Sequence, residues 1–439
     1  MSESTAHQAI EKILNRAAGQ GVSAEVYFLE QDETPVEFET NRLKSLQTKA
    51  KTGIALRVIS EDRLGFASST DLGRTDELFD AALQTARTGD PAQFDFASNI
   101  KPGPAPVPYT APPADHFIDT GNQLIARIRD EIPDIIVSAG FTVRSSRIEI
   151  ATTTGARGQR QRTTVSASLA GNLVRGEDML EAYSYATLRD GEPDYDRLVQ
   201  EVLTKFRRAS RTAQVSSGAL PVLFTPQAAA SILGGLFRTV LSGQAVVQKS
   251  SPLADKVGQA VFNSQLTLYE DPEQGTGAAA FDDEGTPTQA KWFIDEGTVR
   301  DFYWDRTWAA RAGVPLTGNG FRNGLGRPAP GVVNLCMVGG ELPEEVLVRT
   351  IREGLIVEQV LGAGQSNQLA GEFSVNLDLG YKVENGEIVG RVKNTMVAGN
   401  IFEAFGPNLE ALSYETQWVF GSALMPSILF RELGVAARD

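Results

Sequence analysis

The chain has 439 residues, 41% hydrophobic and 22% charged, with a formal net charge of −14. That length predicts two or three domains of roughly 100–200 residues each, and the charge opposes a phosphate backbone or an anionic lipid surface, so neither nucleic acid nor membrane is an expected partner. With only two histidines and one cysteine, at His7, His116 and Cys336, no local cluster offers the imidazole and thiolate ligands of a catalytic zinc.

Residues 4–19 place Ala6, Ile10, Leu14 and Ala17 on one helical face before Gly19 and Gly21. Short β-branched or aromatic stretches follow at 24–31, 35–40, 52–60 and 64–69, and helical spacing returns at 76–87. Residues 1–100 therefore read as a small sheet with helices against it. KPGPAPVPYTAPP carries six prolines and defines an extended linker over 101–113. A middle α+β unit, 114–217, has a helix near 119–131, strands at 135–144, 147–153, 159–170 and 181–188, and a helix with Leu198, Val202, Phe206 and Ala209 on one face. Residues 218–439 open with the strand Leu220–Phe224, then Thr225-Pro226 as N-cap and first helical residue, predicting a helix over 226–241. Glu296-Gly297 and Asn385-Gly386 each sit between strand-like runs and predict hairpins. The fold class is α+β: N-terminal sheet-and-helix units followed by a mainly antiparallel, barrel-like C-terminal β domain with a few helices.

The N-terminal residues carry no signal-peptide pattern, and no apolar run approaches the roughly 18 residues of a membrane span. One cysteine forms no intramolecular disulfide. The expected compartment is the cytoplasm.

Dinucleotide and P-loop fingerprints are absent: Gly318-Asn-Gly320 and Gly362-Ala-Gly364 lack the third glycine, and no G-x-S-x-G elbow occurs. Lys249-Ser250-Ser251 either sets a lysine base beside a hydroxyl or, the simpler reading, is a solvated loop after a helix. The acidic run Asp282-Asp283-Glu284 either binds a hard cation or the amino end of a peptide, or forms a turn whose carboxylates accept local amides. Thr317-Gly318-Asn319-Gly320 and 362–367 are glycine loops that suit an extended ligand strand or a sharp turn. Arg157, Arg160 and Arg162 either hold a carboxylate or make a salt-bridged strand face.

Five stretches, TGIALRVISEDRLGFASSTDL (52–72), FDDEGTPT (281–288), PLTGNG (315–320), GEFSVNLDLGYKVENGEIVGRVKN (371–394) and MVAGNIFEAF (396–405), together make the chain resemble the TldD/PmbA family of metallopeptidases, also labelled modulators of DNA gyrase. In TldD-type members the resemblance implies an H-E-x-x-x-H helix and a late cysteine as zinc ligands. The matching helix here, TPQAAASILGGLFRTVLSG, has neither histidine nor glutamate, and 420–423 has no cysteine, so the chain is similar to the PmbA (TldE) branch. The resemblance implies a zinc-less, non-catalytic subunit that acts with a TldD-like zinc-bearing partner on unfolded or small peptides. No cofactor is expected on this chain, and zinc is expected only on the partner. A different reading is a stand-alone peptide-binding or structural homo-oligomer without proteolysis; a third is carboxylate-based hydrolysis through Asp282, Asp283 and Glu284 with a recruited metal. Candidate residues for a peptide groove are Asp282, Asp283, Glu284, Thr317, Gly318, Asn319, Gly371, Phe373 and Ser374, and none is assigned a catalytic role.

Overall fold

The computed structural model describes residues 3–103, 109–176, 178–362 and 367–438. Part of the proline-rich linker (104–108) and most of the second glycine loop (363–366) lie outside them.

Helix α1 (Glu3–Gly19) buries Ala6, Ile10, Leu14 and Ala17, the stripe that its spacing predicts. Strands β1 (Ser23–Glu39), β2 (Arg42–Leu46), β3 (Lys49–Ser60) and β4 (Arg63–Ser69) follow, then α2 (Thr75–Ala86) and α3 (Ala114–Glu131). Next come the long strands β5 (Ile136–Thr152), β6 (Arg157–Arg175) and β7 (Asp178–Arg189), and α4 (Tyr195–Arg208). All seven strands belong to one antiparallel sheet of order β4-β3-β1-β5-β6-β7, with β2 on β1. The strands read from the sequence as two units therefore share a sheet, because β1 pairs β5 from Glu25↔Thr152 to Phe38↔Ala139.

The sequence splits β1 into two strands around Pro35, whereas the structure runs one strand through it. The β3 ladder ends at Glu33 and the β2 ladder begins at Val36. On that edge Pro35 lies between partners, so no neighbouring strand requires the N–H it lacks.

The C-terminal part begins with β8 (Gly218–Phe224) and α5 (Pro226–Val240), whose N-cap Thr225 accepts from the Ala228 N–H. Helix α6 (Gly243–Val247) leads to β9 (Leu268–Glu270), β10 (Lys291–Asp295), β11 (Thr298–Val299), α7 (Arg306–Ala312), β12 (Gly320–Arg322), β13 (Pro328–Pro330) and β14 (Leu335–Met337). Helix α8 (Glu344–Thr350) precedes β15 (Glu353–Leu361), β16 (Glu372–Glu384), β17 (Glu387–Arg391) and β18 (Thr395–Asn400). Short α9 (Ile401–Ala404), β19 (Leu409–Val419) and β20 (Ala423–Ala437) complete the chain. Both hairpin turns form at the expected residues, with positive φ at Glu296, Gly297, Asn385 and Gly386.

β8 pairs β15 in parallel and β20 antiparallel, which closes β8, β15, β16, β18 and β20 into a mixed five-stranded barrel. The whole is α+β, 24% helix and 43% strand. Core residues of α3, β5, β6 and α4 continue without a break into Leu223, Ile356 and Tyr381 of the barrel, so apolar packing joins the sheet to the C-terminal part. No helix among the described residues is long and apolar enough to cross a membrane.

Candidate functional site

Two charged residues interrupt the apolar strands of the N-terminal sheet, Glu25 on β1 and Arg57 on β3, and they face each other in register. Both are buried. Arg57 donates Nε and Nη2 to the two Glu25 oxygens at 2.8 and 2.7 Å, a bidentate pair. Its remaining Nη1 reaches Glu284 Oε1 at 2.6 Å, from the other half of the chain. Glu25 also accepts from Arg322 Nη2 at 2.6 Å. Burial by itself would raise the Glu25 pKa, but Arg57 and Arg322 outweigh it and hold the carboxyl below its ordinary value.

The acidic run is the hub of this network. Asp282 Oδ1 accepts the backbone N–H groups of Glu284 (2.9 Å) and Thr286 (2.8 Å), and Oδ2 accepts that of Gly320 (2.8 Å). Asp283 takes Arg160 on Oδ1 and the Arg322 backbone N–H on Oδ2 at 2.7 Å. Glu284 Oε2 accepts the Arg306 N–H at 2.7 Å, at the start of α7. Asp282, Asp283 and Glu284 are 1, 3 and 0% exposed; Asp283 and Glu284 tie the N-terminal sheet to the C-terminal part, Asp282 ties its own loop to Gly320, and none is an open carboxylate. Burial, reinforced by the Glu284 charge, pushes Asp282 up to about 8 against the pull of its three N–H donors. The same two causes push Asp305, the N-cap of α7, up to about 7.

The PLTGNG loop packs on this hub. Thr317 Oγ1 accepts from Trp304 N–H at 2.8 Å, and Asn319 Nδ2 donates to Glu270 and to the Gly331 carbonyl. Glu270 is paired with Lys291 at 2.6 Å. Gly318 has φ +72°, and a Cβ there would lie 2.3 Å from the Pro287 carbonyl oxygen, so the loop needs glycine on both counts. The structure thus brings Asp282, Asp283, Glu284, Thr317, Gly318 and Asn319 together. Gly371, Phe373 and Ser374 lie elsewhere: Gly371 accepts from Ile401 N–H, buried Phe373 packs edge-on against Phe224, and exposed Ser374 pairs Ala398.

Beside the hub opens a cavity of about 1250 Å³, with Arg160, Arg162 and Arg189 on the sheet side and Thr276, Ala280 and Phe281 across from them. Arg162 Nη1 donates to the Thr276 carbonyl at 2.9 Å and Arg189 Nη1 to that of Ala278 at 2.7 Å. Sequence reasoning marked Arg160 and Arg162 but missed Glu25, Arg57, Arg306 and Arg322. The available signal was a single charge inside an otherwise apolar strand, as in GIALRVI and AEVYFL.

The segment that the resemblance assigns to zinc does not fit the metal. The α5 residues Gly234, Gly235, Arg238 and Thr239 supply no imidazole or carboxylate. Arg238 fixes a positive charge there by donating Nη2 to the Ser422 carbonyl at 3.1 Å, and Thr239 Oγ1 is bound to Gly235 O and Gln368. A guanidinium in that place repels a divalent cation. Cys336 is buried, and burial pushes its thiol up to about 12, away from the thiolate a metal needs. His7 is exposed on α1, and His116 bonds Glu192 at 2.7 Å. Among the described residues no three His, Cys, Asp or Glu side chains form a group suited to a metal ion.

Residues 217–437 match the family model for the PmbA/TldA metallopeptidase C-terminal domain, and residues 24–88 match that for PmbA/TldA metallopeptidase domain 1. The chain is similar to the metalloprotease PmbA of Escherichia coli O157:H7, 25% identical over 90% of this chain and 88% of that one. It is 23% identical to an uncharacterized protein, MJ0231, of Methanocaldococcus jannaschii, over 96% and 98% of the two chains. TldE from Thermococcus kodakarensis shares the fold with a TM-score of 0.86 at 23% identity, covering 98% of this chain and all of that one. A candidate DNA gyrase modulator from Thermotoga maritima does so with a TM-score of 0.88 at 22% identity and the same coverage.

Proposed function

This chain belongs to the PmbA/TldD metallopeptidase family, and from that premise we propose that it is a zinc-less, non-catalytic subunit that works with a zinc-bearing TldD-like partner on unfolded or small peptides. The observation that carries this reading is α5. Where the zinc-bearing branch is expected to present two imidazoles and a glutamate, this helix presents glycines, a threonine and a guanidinium already committed to Ser422. A charge of −14 and a buried acidic hub leave the cavity beside β6 and β7 as the feature best suited to an extended peptide. Closing a cleavage site between two chains excludes folded proteins by size.

The test is co-expression with an H-E-x-x-x-H paralogue. Complex formation, zinc content and casein or peptide cleavage are measured for each chain alone and for both together. The expected result is zinc on the partner and cleavage by the pair. Stoichiometric zinc and casein cleavage from this chain alone would overturn the reading, and a stable peptide-binding homo-oligomer indifferent to the paralogue would replace it.

A further inference from the structure

Three arginines face the cavity, and among the described residues two of them have an ion-pair partner. Arg160 is paired with Asp283 and Arg189 with Asp190, the latter at 3.1 Å. Arg162 stands two residues beyond Arg160 on β6 and therefore on the same face of the strand. It has no ion-pair partner among the described residues, and its hydrogen bond to the Thr276 carbonyl uses one donor of a planar fork that carries five. Burial, then repulsion from Arg160, outweighs the weaker attraction of Asp283 and lowers its pKa to about 10, so it stays charged at neutral pH in a place where a cation without a paired carboxylate is disfavoured. The other charged groups lining the cavity, Lys101 and Glu273, are one of each sign.

An entering carboxylate would relieve that repulsion and accept two parallel N–H bonds from the fork. The remaining wall suits a peptide, since Ile148, Leu188, Phe281 and Trp418 offer apolar surface in a space larger than one amino acid fills. We propose that Arg162 is the anchor of a carboxylate subsite in this cleft, taking the C-terminal carboxylate or an acidic side chain of a bound peptide. The peptide as ligand rests on the proposed function; the carboxylate subsite rests on the geometry alone.

The experiment titrates the full chain with three labelled peptides of one alanine-rich sequence: free acid, C-terminal amide, and amide with one internal glutamate. Wild type is expected to bind the free acid or the glutamate peptide at least about tenfold more tightly than the plain amide, and which of the two wins identifies the source of the carboxylate. Arg162→Gln is expected to bring that ratio close to one. Arg162→Lys keeps the charge but loses the fork, so it should lose several-fold of the preference, and it decides the matter if the glutamine variant does not fold. Equal binding of all three peptides by wild type, or an unchanged ratio in the folded variants, overturns the subsite. If no peptide binds, thermal stabilisation by glutarate decides: a shift abolished in Arg162→Gln upholds the subsite while the peptide reading falls, and no shift overturns both.

Discussion

Replacing Arg57 with methionine tests how much the buried charge network contributes to holding the N-terminal sheet against the C-terminal part. The guanidinium makes three charge-assisted bonds, at 2.8 and 2.7 Å to Glu25 and 2.6 Å to Glu284, with side-chain exposures of 1, 0 and 0% for the three residues. Methionine keeps apolar contact with Phe94 and Phe96, whose rings lie 5.8 and 5.3 Å from the guanidinium carbon, but supplies no charge. Glu25 is then left with Arg322, and Glu284 with the Arg306 N–H. Removing one partner of a buried pair costs about 3–5 kcal/mol, because the other charge stays buried without compensation. An exposed pair such as Arg144 with Glu33 is worth only about 0–1 kcal/mol. The assay is urea unfolding with two probes: all four tryptophans, 292, 304, 308 and 418, lie in the C-terminal part and report on it, while far-UV circular dichroism reports on the whole chain. Arg57→Met should lose about 3–5 kcal/mol and Arg144→Ala less than about 1 kcal/mol. Adding Glu284→Gln to Arg57→Met should recover part of the loss, since an amide needs no counter-charge. If Arg57→Met unfolds within about 1 kcal/mol of wild type, the network is not what joins the two halves.

Stability should also carry a pH signature from the acids around Glu284. Asp305 keeps its proton in the folded state up to about 7 and Asp282 up to about 8, whereas the unfolded chain releases both near 4, so their contribution is complete below that value and is lost as pH rises through 7 to 8. Asp305→Asn retains an acceptor for the Trp308 N–H, and its urea midpoint should fall less between pH 5 and 8 than that of wild type; equal slopes would contradict the assignment. Gly320→Ala should destabilise by about 1–3 kcal/mol through overpacking, because the new Cβ would stand 2.1 Å from Glu284 Oε2. Gly19→Ala, with nothing within 4 Å of the new atom, is the control and should be neutral or slightly stabilising in thermal unfolding.

What the amino-acid order determined alone was whatever neighbours within a few residues can express. The α1 stripe, the Thr225-Pro226 start of α5 and the Asn385-Gly386 hairpin are local decisions of spacing, capping and backbone sign, and all three form as read. The α+β class and the family followed from such pieces taken in order. Tertiary structure alone decided that β1 joins β5 across more than a hundred residues and that Pro35 falls harmlessly between two ladders. It also decided where the acidic run's bonds go, because Asp282-Asp283-Glu284 is readable as a turn or as a binding cluster until its counter-charges are known. Those counter-charges lie 227 positions away at Arg57 and 123 at Arg160. Charge compensation depends on distance in space, so a sequence shows which charges exist, and only the folded chain shows that Arg57 and Arg160 are ion-paired while Arg162 has no such pair among the described residues.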